Sequence, residues 1–199
     1  MAERDRDTAI IAMWLFLATE TLFFGPLFFV LLVCRQIEPT AMDHGVGRTA
    51  LTIGTVNTGL LLTSSLAMTV GTAYAARGAL RGLVRCLGVA ALLGVAFLTL
   101  KGVEYAEDFR QGLFPGIGFT AAPSLQLFFF CYFAATAVHA LHMLIGLGLI
   151  AYVSRRALRG EFTASYWTPA AVVALYWSFV DIVWIFLYPL LYLVGRSAA

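Results

Sequence analysis

Seven polar side chains sit in or beside runs that are otherwise apolar, and they limit what chemistry the sequence can carry. Glu20 lies inside Trp14–Gly25, WLFLATETLFFG. His139 and His142 stand three residues apart in Val138–Gly146, VHALHMLIG, and Ser178 and Asp181 three apart in the segment that begins at Tyr176. Lys101 and Glu104 share that spacing near the end of another run. A charged side chain at a bilayer centre costs about 2.5–3.5 kcal/mol on insertion scales, so each group is expected to face protein or water. The spacing puts His139 and His142 on one helix face, and Ser178 and Asp181 together on another. Ala135 and Gly146 share the histidine face and let a neighbour approach closely.

Several chemistries can be weighed on these residues. Bis-histidine haem ligation needs imidazoles from opposite sides of the iron, which one helix face cannot supply. A site of two histidines and a carboxylate, from Glu20 or Asp181, has suitable ligand types. It lacks the paired Glu-x-x-His motifs of di-iron bundles. A proton relay through Glu20 is a standing reading of any intramembrane acid. The plainer reading is that the polar groups hydrogen-bond one another and lock helices together, and it is preferred for His139, His142, Ser178 and Asp181. Lys101 and Glu104 read as an interfacial pair of little energetic weight. Phe23–Phe24 and Phe128–Phe130 read as lipid or subunit contacts. No serine or cysteine has a catalytic base in its sequence context, and there is no phosphate loop. Cys34, Cys86 and Cys131 form no CxxC or Cys/His motif.

The elements that must hold these groups follow from composition. The chain has 199 residues, 61% hydrophobic and 12% charged, against roughly 25% charged in soluble domains. With a mean hydropathy of +0.86, the bilayer has to be the solvent. A net charge of +2, without a basic run interleaved with aromatics, gives no footprint for nucleic acid. Five runs reach the roughly 20 apolar residues that a spanning helix needs: about 8–33, 52–76, 87–105, 125–153 and 168–194. The expectation is an all-α bundle of five transmembrane helices forming one membrane domain over residues 1–199, with no cleavable signal. Residues 35–48 and 112–124 read as loops. Counting basic residues on alternate sides gives eight (Arg4, Arg6, Arg77, Arg81, Arg85, Arg155, Arg156, Arg159) against five (Arg35, Arg48, Lys101, Arg110, Arg196). The positive-inside rule then puts the N-terminus in the cytoplasm and the C-terminus outside.

Four segments carry a resemblance: Trp14–Gly25, Lys101–Phe109 (KGVEYAEDF), Val138–Gly146 and Tyr176–Gly195 (YWSFVDIVWIFLYPLLYLVG). In order and separation they resemble subunit III of haem–copper terminal oxidases, over about residues 10–196. The resemblance implies a subunit of the bacterial inner membrane with no active site, haem or copper of its own. Its partners would be subunit II and the catalytic subunit I, whose haems and copper reduce oxygen to water and which pumps protons. Bound phospholipid and roles in proton uptake, lipid retention and catalytic-site lifetime are implied in the same way. Glu20 matches the family's carbodiimide-reactive membrane glutamate, and His139, His142 and Asp181 match its helix-packing polar residues. Glu104 matches an acid at a helix end. Many members have seven helices, where five runs are present here. Ser178 stands where the family usually has histidine, so that histidine's role does not transfer. The donor leans to cytochrome c, with a quinol oxidase subunit or a nitric oxide reductase accessory subunit as alternatives. From a different class comes a small proton-coupled transporter using Glu20 and Asp181, although no repeated halves are visible.

Overall fold

The computed structural model describes residues 2–116, 119–164 and 166–196. Ile117 and Gly118 of the expected loop, and the side chain of Arg4, lie outside the described residues. In lipid every backbone N–H and C=O must find a partner within its own segment, so the apolar runs fold as helices. They are α1 (Ala2–Ile37), α2 (Pro39–Arg48), α3 (Leu51–Ala76), α4 (Leu80–Arg110), α5 (Leu125–Leu158) and α6 (Thr168–Tyr188). All but α2 are long and apolar enough to cross a membrane. Among the described residues the only β pairing is an isolated bridge between Thr163 and Tyr166.

The helices overrun the apolar runs that mark them. α1 extends to Ile37 rather than ending near residue 33, and α4 spans Leu80–Arg110 rather than 87–105. A run of apolar residues marks only the part within hydrocarbon, whereas the intrahelical hydrogen-bond ladder continues through polar ends. Arg81 and Arg85 therefore sit on the first turns of α4 instead of in a loop. Residues 39–48 are likewise not a loop. They form the short α2, started by Pro39 at its first turn and burying Ala41, Met42, Gly45 and Val46. The last span ends in a five-residue π-turn, Pro189–Leu193, closed by the Val194 N–H donating to the Pro189 carbonyl at 2.9 Å. Pro189 has no N–H to donate to the carbonyl four residues back, which favours this wider turn.

α6 is the centre of the bundle: 61% of its span is buried, against 17% for α1. It packs on α1, α3 and α5, while α4 packs on α3 and α5. The turn between α3 and α4 is made at Gly78, whose φ of 72° is the left-handed conformation that glycine adopts without a Cβ clash. Large apolar side chains along α1, among them Leu15, Leu22 and Phe29, face outward. A membrane protein presents such a surface to lipid or to other subunits. The phenylalanine runs divide: Phe24, Phe128 and Phe129 are core residues, and only Phe23 and Phe130 are exposed. Two of the three residues in Phe128–Phe130 are therefore internal packing, not outer contact.

Candidate functional site

Three polar centres lie inside the bundle, and they are separate. The first joins α1 to α5. His142 Nε2 lies 3.1 Å from Glu20 Oε2, and His142 Nδ1 lies 2.8 Å from the Val138 carbonyl one turn back. A carbonyl only accepts, so Nδ1 carries a proton and donates to it. The Nε2–Oε2 contact then holds one proton, either on the imidazolium or on the carboxyl, and the pair is neutral overall in both arrangements. That neutrality suits the surroundings, because the Phe24 ring lies 4.9 Å from the imidazole, inclined to it at 59°, and both side chains are mostly buried, at 12% and 18% exposure. An unpaired buried carboxylate would be far more costly.

The second centre is the pair that the sequence reads as interfacial. Lys101 and Glu104 are instead buried, 5% and 2% exposed, because α4 continues past them and α5 and the π-turn close over them. Lys101 Nζ donates to Glu104 Oε2 at 2.9 Å, to the Tyr132 hydroxyl at 2.9 Å and to the Tyr192 hydroxyl at 2.8 Å, using all three of its protons. Tyr192 in turn donates to the Glu104 carboxylate at 2.9 Å. The ammonium also lies 4.7 Å from the centre of the Tyr132 ring and 5.6 Å from that of Trp184. This is a desolvated ion pair with every donor satisfied, so its weight differs from that of a solvated surface pair. Tyr132 and Tyr192 are the members that sequence reading misses. A tyrosine within an apolar run carries no signal of what its hydroxyl will meet.

The third centre is the inner face of α5 and α6. His139 is fully buried one turn from His142, yet it turns to different neighbours. Its ring lies 5.5 Å from that of Phe97 on α4 and 5.2 Å from that of Trp184 on α6. Neither of its nitrogens has a hydrogen-bond partner, nor does the amide of Asn57, while the carboxylate of Asp181 lies beside the Ser65 hydroxyl. Glu20 and His142 therefore hydrogen-bond one another, whereas His139 is lodged among aromatic rings. Ser178 reaches across to the Ser65 hydroxyl on α3 at 3.4 Å rather than to Asp181 or a helix carbonyl. Among the described residues no three His, Cys, Asp or Glu side chains converge as a metal site would require.

A serial bundle of five spans, joined internally by buried polar contacts between helices, defines a polytopic helical membrane protein. The family model described as cytochrome c oxidase subunit III matches residues 6–196. Curated relatives agree. The chain is 31% identical to cytochrome c oxidase subunit 3 of Thermostichus vulcanus, covering 98% of this chain and 92% of that protein. It is 31% identical to the Synechocystis protein of the same name, covering 94% and 76%. A 29% identical relative from Aeropyrum pernix, covering 95% of this chain and 23% of that protein, is named heme-copper oxidase subunit I+III. The chain belongs to the cytochrome c oxidase subunit III family.

Proposed function

We propose that the chain is the supporting subunit of a cytochrome c-type respiratory oxidase in a bacterial inner membrane. In this reading it sits beside subunits I and II with its N-terminus in the cytoplasm. It holds no haem or copper, retains phospholipid, and supports proton uptake and the lifetime of the catalytic site next door. The relative whose name joins subunits I and III favours a position against subunit I. The eight-to-five division of basic residues favours the orientation. The single observation that carries the functional part is the Glu20–His142 contact, which holds one proton between α5 and α1, the least buried span of the bundle. Passing that proton between Glu20 and His142 leaves the pair neutral, so the acid is held in apolar surroundings without an uncompensated charge.

The test is purification in mild detergent. A partner carrying haem and copper should accompany the chain, with oxygen consumption driven by reduced cytochrome c and not by quinol. A colourless, solitary protein would overturn the assignment, and quinol-driven turnover alone would move the donor.

A further inference from the structure

The seam between α1 and α5 holds a second cross-helix pair. Cys34 and Cys131, both buried and both free, meet with the Cys131 thiol donating to Cys34 Sγ at 3.8 Å. The two helices run antiparallel, so this pair and Glu20–His142 tie the same seam at two levels. Between those levels lies an apolar cavity of about 290 Å³, lined by Phe23, Leu27, Val30, Phe130 and Val138, with Cys131 in its wall. Cys34 does not line it.

Two thiols in contact can take a soft metal ion or form a disulfide. A Cu(I) ion between two thiolates would leave a net negative charge in apolar surroundings, with no third ligand converging among the described residues. A disulfide is neutral and needs the sulfurs to close by only about 1.8 Å, to the bonded distance of about 2.0 Å. The cavity bears on the oxidant as well, since its walls are apolar and Cys131 is the cysteine that lines it.

We propose that Cys34 and Cys131 are a dithiol that an organic hydroperoxide, entering from the membrane, converts to a disulfide joining α1 to α5. Cys131 Sγ attacks the outer peroxide oxygen and the O–O bond breaks. The thiol proton passes to the departing oxygen, leaving an alcohol and a Cys131 sulfenic acid. Cys34 Sγ then attacks Cys131 Sγ, forming the S–S bond as hydroxide leaves with the Cys34 proton as water. The two sulfurs together give up two electrons, and the hydroperoxide accepts both. Cys86, on α4 and away from the seam, stays a thiol.

The test uses membranes containing the full chain, treated with cumene hydroperoxide, alkylated, digested and weighed by mass spectrometry. The expected product is a linked Cys34–Cys131 peptide lighter by two hydrogens than the two free peptides, with Cys86 alkylated. In Cys34→Ser, dimedone should capture the Cys131 sulfenic acid, whereas in Cys131→Ser dimedone should leave Cys34 essentially unlabelled. Recovery of both seam cysteines alkylated, at a dose that oxidises added glutathione completely, would overturn the proposal. So would linkage through Cys86, or equal dimedone labelling in the two serine variants.

Discussion

The Trp177 indole N–H donates to the Ser64 hydroxyl at 2.9 Å, and that hydroxyl donates onward to the Ala90 carbonyl at 3.1 Å, so one serine on α3 joins α6 to α4. The indole also lies close against two glycines, Gly94 on α4 and Gly146 on α5. A Cβ added at Gly94 or at Gly146 would lie 2.8 Å from the Trp177 ring. Close helix approach without a hydrophobic driving force depends on such small residues.

Gly146→Ala and Gly94→Ala should therefore each destabilise the bundle by about 1–3 kcal/mol, the range for overpacking a filled core. Ser64→Ala should cost about 1–3 kcal/mol by stranding the buried indole N–H. Thermal unfolding in detergent reads all three. A midpoint unchanged in Gly146→Ala would mean that Trp177 is not seated as described.

Lys101→Met should be among the most damaging single changes outside the backbone. It leaves the Glu104 carboxylate buried and uncompensated, which typically costs about 3–5 kcal/mol. Adding Glu104→Gln to that variant removes the stranded charge while Tyr192 can still donate to the amide oxygen. The double variant should therefore recover much of the loss. The readout is folded yield and thermal midpoint across the double-mutant cycle. Strict additivity of the two substitutions would show that the residues do not act as a pair.

The contrast between these residues shows what a one-dimensional reading reaches. The five spans were legible because apolar run length is dictated by bilayer thickness. Glu20 and His142 were legible as polar exceptions within such runs. Lys101 and Glu104 were not read as a core pair, because the tyrosines that desolvate them lie 31 and 91 positions from Lys101. Helix α2 was hidden by Asp43, His44 and Arg48, whose charges mask its buried strip of Ala41, Met42, Gly45 and Val46. His139 and His142 looked alike by spacing. Only the packing of α1 against one, and of α4 and α6 against the other, separates a hydrogen-bonded imidazole from one lodged among aromatic rings.

At the membrane edge, Gly195 has a φ of 87° and lies against the ion pair of Arg35 with Asp43. Arg35 also donates to the Val194 carbonyl at 2.8 Å, so α1, α2 and the end of the last span meet there. Gly195→Ala should cost at least about 1–2 kcal/mol from the left-handed backbone alone. Its Cβ would also press into the Asp43 carboxylate. Arg35→Gln should give a smaller loss, since the pair is partly solvated. Thermal midpoints that rank the two substitutions the other way would place the weight on the ion pair instead of the turn.

Glu20→Gln separates packing from proton traffic. With His142 Nδ1 committed to the Val138 carbonyl, Nε2 of the neutral ring can accept from a glutamine N–H as readily as from a carboxyl O–H. The variant should therefore assemble to the wild-type level, with a thermal midpoint close to that of the parent. It can no longer release or take up a proton at this site. If Glu20 helps deliver protons, turnover or its persistence at high pH should fall while assembly does not. Glu20→Lys should fail to assemble, because its ammonium, even with Nε2 accepting from it, leaves a net positive charge on the seam. Unchanged turnover and inactivation in Glu20→Gln, at normal assembly, would reduce the pair to a tie between α1 and α5.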